Sequence, residues 1–252
     1  MRRKLKHNET GRFEVNPHQE LAKSSRMRKA IQVLSKLEGQ LLQVAVWTRL
    51  TGEETDGGLP SMTRGEEPAD IFVDYVAYCD RTGRALAAKH MREACGALIA
   101  EHIEIDDFRS NLKVAALGEL CYLASRISSK PAIYPLRNLA ERCSPSLKLL
   151  DDEPLLNLAL RALLGLLGHF QQEVKREDFR AVFEHNLMNP RCKMICLTAL
   201  VGLWPERRDR LIDDLRREGH KIEDRDLSTS LELAGFPESV ESTSRLLAKS
   251  ER

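Results

Sequence analysis

The sequence is poor in aromatic side chains and has almost no net charge. Its 252 residues include two Trp, four Tyr and seven Phe, and 39 Lys and Arg balance 38 Asp and Glu. So few aromatic residues do not predict a stacking platform for nucleic-acid bases. A net charge of +1 produces no global field that would attract nucleic acid or an anionic membrane. Either partner would need a local basic patch.

Several motifs that mark enzymes and secreted proteins are also missing. The chain has no glycine-rich phosphate loop, no nucleophile elbow and no calcium-binding loop. Its six cysteines show no framework spacing, and its N-terminus lacks the apolar stretch of a signal peptide. We therefore expect a non-enzymatic, intracellular protein of the cytoplasm or nucleus that binds no cofactor and no metal.

The longest apolar run is too short to cross a membrane. The stretch PLLNLALRALLGLLGHF occupies residues 154–170, whereas a membrane-spanning helix needs about 20 apolar residues. Arg161 lies near its centre, and three acids at 151–153 precede Pro154. These features predict a buried helix of a soluble protein, with no transmembrane segment.

The N-terminal part of the chain contains a basic segment and an acidic segment. Residues 1–30 carry nine bases and three acids, which predicts a basic mobile arm over residues 1–24. Residues 52–69 combine Gly, Pro and acids without periodicity, which predicts an exposed acidic loop. The two segments could attract each other, but the favoured interpretation is that each is separately solvated.

Residues 25–252 predict a single α-helical domain, whose N-terminal helices occupy residues 25–105. Apolar spacing predicts one long amphipathic helix that ends at Gly52, with its apolar face at Ile31, Leu34, Leu37, Leu41, Val44 and Thr48. A further helix is expected over 82–101. The stretch DIFVDYVAY at 70–78 contains strand-favouring residues, but it lies among predicted helices and we expect it to be helical.

Three later segments share an apolar pattern. They are VAALGELCYLA from residue 114, LALRALLGLLG from 158 and ICLTALVGLW from 195. Aligning them brings three alanines into register at spacings of 46 and 37 residues: Ala116, Ala162 and Ala199. Each alanine is directly followed by a leucine, at Leu117, Leu163 and Leu200. Half-polar helices are predicted between and after these segments, at about 132–142, 176–188 and 206–218. Pro154, Pro190 and Pro205 suit the first turns of helices.

This pattern resembles the HEAT/armadillo superfamily over residues 108–249. The resemblance rests on a period near 40 residues, prolines at predicted helix starts, and the similarity of ALLGLL to ALVGLW. It implies a short right-handed α-solenoid of HEAT-like helix pairs over residues 106–252, preceded by an N-terminal helical extension. It also implies a scaffold or adaptor that binds another protein along the ridge of second helices. An irregular helical bundle is the alternative fold.

Basic residues supply the candidate binding sites. On the predicted second helices, a protein partner would meet Arg137, Arg180, Arg207 and Arg210. The alternative function is nucleic-acid binding, in which these arginines assist the basic arm with Arg2, Arg3, Lys4 and Lys6. Acids interleave with the arginines around 206–218, and such mixed charge is typical of a solvated helix.

Two clusters permit a metal or catalytic interpretation. Cys192 and Cys196 lie one helical turn apart, seven residues and more after His185, but they alternate with apolar residues and favour buried structural thiols. The stretch EHIEIDD at 101–107 places carboxylates beside His102. Its position between two helices favours a capping role for Asp106 or Asp107.

Overall fold

Helices form all the regular structure that can be described in this chain. The structure, a computed structural model, describes residues 17–52, 58–62, 65–104, 111–144, 153–204, 208–217, 219 and 222–234. These residues contain no β-strand and a single 3₁₀ turn at Lys130–Ala132. Their α-helices are α1 (Pro17–Leu34), α2 (Gly39–Thr51), α3 (Asp70–Arg81), α4 (Ala85–Glu104), α5 (Asn111–Arg126), α6 (Ile133–Cys143), α7 (Glu153–His169), α8 (Glu177–Asn186), α9 (Lys193–Leu203), α10 (Arg208–Arg217) and α11 (Asp224–Ala234).

The stretch with competing strand and helix signals is helical, as predicted. Residues 70–78 lie in α3, which buries Phe72, Tyr75, Val76 and Cys79 at helical spacing. Without a neighbouring strand, its aromatic and β-branched side chains are better buried by helix packing than by a sheet. The helix predicted over 82–101 is also present, as α4.

The prediction of a single long helix that ends at Gly52 is wrong, because the helical conformation is interrupted between α1 and α2. Glu38 is extended and Gly39 has a φ of +53°, a left-handed conformation that interrupts a right-handed helix. After this break the buried face shifts to Leu42, Val46 and Leu50. The predicted core residues Leu41 and Val44 are instead 66% and 60% exposed. The predicted stop at Gly52 is correct.

The basic and acidic segments of the N-terminal part are in contact. The Arg26 guanidinium lies 2.5 Å from a Glu66 carboxylate oxygen, and Arg49 donates a hydrogen bond of 2.9 Å to the Pro60 carbonyl. Arg26 lies just after the predicted arm of residues 1–24, so the interpretation of the arm and the loop as separately solvated stays a prediction. The helix α1 begins at Pro17, inside the predicted arm of residues 1–24, and residues 1–16 lie outside the described part of the chain.

Helices two positions apart in the chain pack against each other. Among the odd-numbered helices, each contacts the next one in the series, from α1 and α3 through α5, α7 and α9 to α11. Among the even-numbered helices, α4 contacts α2 and α6, and α6 contacts α8. Contacts of α6 with α7 and of α8 with α9 join the two sets. Each central helix is thus covered from several directions.

The two most apolar helices occupy the centre of these contacts. In α7 and α9, Leu163 and Leu200 are completely buried, together with Ala162 and Ala199 in the aligned positions. A helix that is apolar on most sides is stable in water only when its neighbours cover it. The expectation of a buried helix at 154–170 is confirmed. Among the described residues, no helix has both the length and the apolar character needed to cross a membrane.

Arginine side chains close the carboxyl ends of several helices. Arg92 of α4 donates a hydrogen bond of 2.7 Å to the carbonyl of Ile127, just after α5. Ser129 in turn donates a hydrogen bond of 2.6 Å to the carbonyl of Arg92. Arg142 donates to the carbonyl of Ile103, and Arg176 to that of Leu203. The last carbonyls of a helix have no partner within it and carry partial negative charge. These hydrogen bonds satisfy them and connect one helix to another.

A close backbone approach brings α4 against the segment that enters α6. A Cβ atom added to Gly96 would lie 2.8 Å from the carbonyl carbon of Pro131. No side chain larger than a hydrogen fits at this position without movement of backbone. Gly168 of α7 provides a contrast, since a Cβ atom there would meet nothing within 4 Å.

We predict that Gly96→Ala destabilises the protein by about 1–3 kcal/mol, the usual cost of overpacking a dense interior. Gly168→Ala is the matched control and should be neutral or stabilising by up to about 1 kcal/mol, because alanine favours a helix. Urea unfolding followed by circular dichroism measures both values. Equal stabilities of the two variants would show that α4 and Pro131 are not tightly packed.

Candidate interaction surface on the even-numbered helices

The described arginines of the predicted binding set lie on successive even-numbered helices. Arg137 is in α6, Arg180 in α8 and Arg210 in α10, and these helices match the predicted half-polar segments closely. Arg207 and the arm residues Arg2, Arg3, Lys4 and Lys6 lie outside the described residues. The surface is therefore built from α6 and α8, with α10 continuing the series in sequence.

The same ion pair recurs on each of these helices. Arg137 Nε donates to Glu141 Oε1 at 2.8 Å, and Arg180 Nε donates to Glu184 Oε1 at 2.6 Å. In α10, Arg210 lies 3.9 Å from an Asp214 carboxylate oxygen, four residues on. An arginine and an acid four residues apart share one face of a helix. Each pair therefore places an arginine and an acid on one face of its helix. The pairs of α6 and α8 are half-buried, whereas Arg210 of α10 is exposed.

These ion pairs orient the guanidinium groups more than they stabilise the fold. Exposed pairs at this spacing contribute about 0.3–0.5 kcal/mol. Within the described structure, Arg137 and Arg180 use only Nε in these hydrogen bonds. Their terminal nitrogens form two donors in a fixed plane, which is the arrangement that pairs with a carboxylate.

An exposed aromatic ring joins α6 to α8 on this surface. Tyr134 is 51% exposed, and its ring centroid lies 5.2 Å from that of the buried Phe179. Tyr134 precedes Arg137 by one turn of α6, and Phe179 directly precedes Arg180. Tyr134 is not among the binding residues predicted from the sequence. The only signal was its spacing from Arg137, because the contact with Phe179 links residues far apart in the chain.

Polar contacts hold the amino ends of α6 and α8 in place. Lys130 Nζ lies 2.8 Å from Glu173 Oε2, which connects the segments that enter the two helices. The buried Trp204 donates from Nε1 to Glu177 Oε1 at 3.0 Å, so the first turn of α8 is fixed to the end of α9. These contacts join the amino ends of α6 and α8 to their neighbours in the fold.

The alternative interpretation of Cys192 and Cys196 as metal ligands with His185 is not supported by their surroundings. Both thiols are buried, whereas His185 is exposed on α8. Burial raises the pKa of Cys196 well above the usual thiol value, which favours the thiol over the metal-binding thiolate. The described part of the chain brings no three His, Cys, Asp or Glu side chains together as possible metal ligands.

His102 stacks on an aromatic ring. Its imidazole lies 3.5 Å from the Trp47 ring, centroid to centroid, at an interplanar angle of 12°. Nδ1 of His102 is buried and has no hydrogen-bond partner among the described residues, and burial lowers the pKa of the imidazole. The ring therefore joins α2 to α4 in its neutral form. Asp106 and Asp107, the predicted capping residues, lie outside the described residues.

Comparison of the chain with protein-family models, with curated proteins and with solved structures found no match. The resemblance to HEAT/armadillo repeats thus stays a prediction that rests on the residues themselves.

We predict that the cysteines react with a thiol reagent only when the protein unfolds. All six are buried, and burial raises the pKa of Cys95, Cys121 and Cys196 in particular. Native protein at pH 8 should react slowly with an aromatic disulfide reagent, and denatured protein at once. A thiol that reacts within seconds in native protein would contradict the buried positions.

We also predict that acid weakens the contact between His102 and Trp47. Because the pKa of His102 is lower in the folded state than its ordinary value of 6.5, the unfolded state binds the proton more readily. This contribution to stability is complete above about pH 6.5 and is lost as the pH falls below it. In urea unfolding at pH 7.5 and 5.5, His102→Phe should remove this part of the pH dependence. The exposed His185→Gln should behave like the wild type.

Proposed function

We propose that the protein is a non-enzymatic scaffold or adaptor that binds another protein through the exposed faces of α6, α8 and α10. We further propose that its helices form a short right-handed α-solenoid. Support for the solenoid comes from the packing of helices two positions apart, in both the odd-numbered and the even-numbered sets. In stacked helix pairs, each unit contacts mainly its neighbours, and an extended surface is left for binding.

The single observation that carries this proposal is the recurrence of the arginine–acid pair on successive even-numbered helices. Arg137 and Arg180 are oriented by their own helices and expose guanidinium donors beside the half-exposed ring of Tyr134. Arginine and tyrosine are the residue types that most often dominate the energy of protein interfaces. The partner that fits is a protein surface with carboxylates for the arginines and an apolar contact for Tyr134.

Nucleic acid fits this surface less well. Each arginine of the series has an acid four residues later, so the exposed face alternates in sign. A surface that binds phosphates is normally one-sided in charge. The alternative function therefore has no support from α6, α8 and α10.

The test is quantitative affinity capture with the full chain, comparing the wild type with Arg137→Gln/Arg180→Gln. We expect at least one captured protein to be lost with this variant, because each lost arginine contact at an interface commonly costs more than about 1 kcal/mol. Purified partner and calorimetry should then give affinity at least tenfold lower for the variant.

The matched control is Arg81→Gln/Arg84→Gln, which removes the same charge from exposed positions of α3 and the turn after it. Captured proteins should not change with this control, and circular dichroism should show that both variants fold. If every captured protein binds the two variants equally, the proposed surface is not the binding surface.

A further inference from the structure

The basic face of α1 has a composition different from the surface described above. Residues 25–36 contain four bases, Arg26, Arg28, Lys29 and Lys36, and no acid. The helix is anchored through the buried Ala30 and Leu34 and packs against α3. These contacts hold this part of the helix in one orientation, and all of the charged side chains of residues 25–36 are positive.

Three of the four bases face solvent. Arg28, Lys29 and Lys36 are exposed. Lys29 lies near the end of α1, and Lys36 lies in the turn that directly follows this helix. These two exposed ammonium groups, one on α1 and one just after it, are available to contact phosphates of a nucleic-acid backbone.

The fourth base is withheld by the neighbouring acidic segment. Arg26 is paired with Glu66 at 2.5 Å, and its side chain is only 20% exposed. Burial lowers the pKa of Arg49, and the positive charge of the nearby Arg26 lowers it further. Arg49 also binds the Pro60 carbonyl, which holds the same segment against α1 and α2. We call this set, Arg26, Arg49, Pro60 and Glu66, the clasp.

We propose that the exposed basic face of α1 binds the phosphate backbone of double-stranded nucleic acid, and that the clasp limits this binding by occupying Arg26. Residues 25–36 contain no aromatic side chain, so the contact is with phosphates and not with stacked bases. A contact of this kind is independent of sequence and strongly dependent on salt. This surface and its partner are separate from the protein-binding face of α6 and α8.

The experiment measures binding of the full chain to a fluorescent DNA duplex of about 20 base pairs by anisotropy, between about 50 and 200 mM salt. Lys29→Gln/Lys36→Gln should weaken binding on the order of 60-fold at about 0.1 M salt, since each lost phosphate contact reduces the salt slope by about 0.9. The control Lys89→Gln/Lys175→Gln removes the same charge from exposed positions of α4 and the turn before α8. It should change the affinity less than twofold.

The clasp has its own matched pair of variants. Glu66→Gln should tighten binding on the order of eightfold, by adding one phosphate contact through Arg26. Glu67→Gln removes the same charge from the adjacent exposed residue and should have a smaller effect. In an Arg26→Gln background, the two variants should become equal.

Three results would overturn the proposal. They are absence of duplex binding by the wild type at about 50 mM salt, equal affinities of the two lysine double variants, and binding to anionic lipid vesicles without binding to duplex. Equal effects of Glu66→Gln and Glu67→Gln would overturn the limiting role of the clasp. None of these results bears on the capture experiment with Arg137 and Arg180, so the two proposals fail separately.

Discussion

The rest of the structure depends on covering α9. Eight of its eleven residues are buried, from Ile195 to Leu203, so this short helix has almost no side that tolerates water. Its cover comes from α7, α8, α10 and α11, which contact it from different directions. Each fully buried leucine or isoleucine contributes about 1.5–3 kcal/mol relative to exposure. Exposing several of these side chains at once would therefore cost a large part of the roughly 5–15 kcal/mol by which an ordinary domain is stable.

This constraint determines where polar recognition can occur. Helices that cover α7 and α9 must give one face to the core, and only their opposite face remains for charged side chains. In α8, Phe179, Val182 and Phe183 point to the core, while Arg180 and Glu184 lie outside it. The candidate binding residues are therefore confined to one side of the half-polar helices. The polar contacts of Trp204 with Glu177 and of Arg176 with Leu203 both join the amino end of α8 to the carboxyl end of α9.

The helix bounds and buried residues predicted from the sequence are correct where the deciding interactions are local. Bounds of α6 and α8 follow from amphipathic spacing within each helix, and the burial of Leu163 and Leu200 follows from their apolar surroundings. The predicted continuous helix is wrong at residues 35–38, where the apolar spacing continues across the break that precedes the left-handed Gly39. The pairs Tyr134–Phe179 and Arg26–Glu66 were out of reach, because each joins distant residues that only the packed helices bring together.

The energies involved separate folding from recognition in this protein. An exposed arginine–acid pair contributes about 0.3–0.5 kcal/mol, whereas truncating a buried phenylalanine such as Phe179 costs about 3–5 kcal/mol. Side chains on the outer faces of α6, α8 and α1 can therefore change with little effect on stability. The same residues control the sign of the local charge, which alternates on α6 and α8 and is uniformly positive over residues 25–36. Because these two charge patterns lie on different helices, they suit two partners of different chemistry.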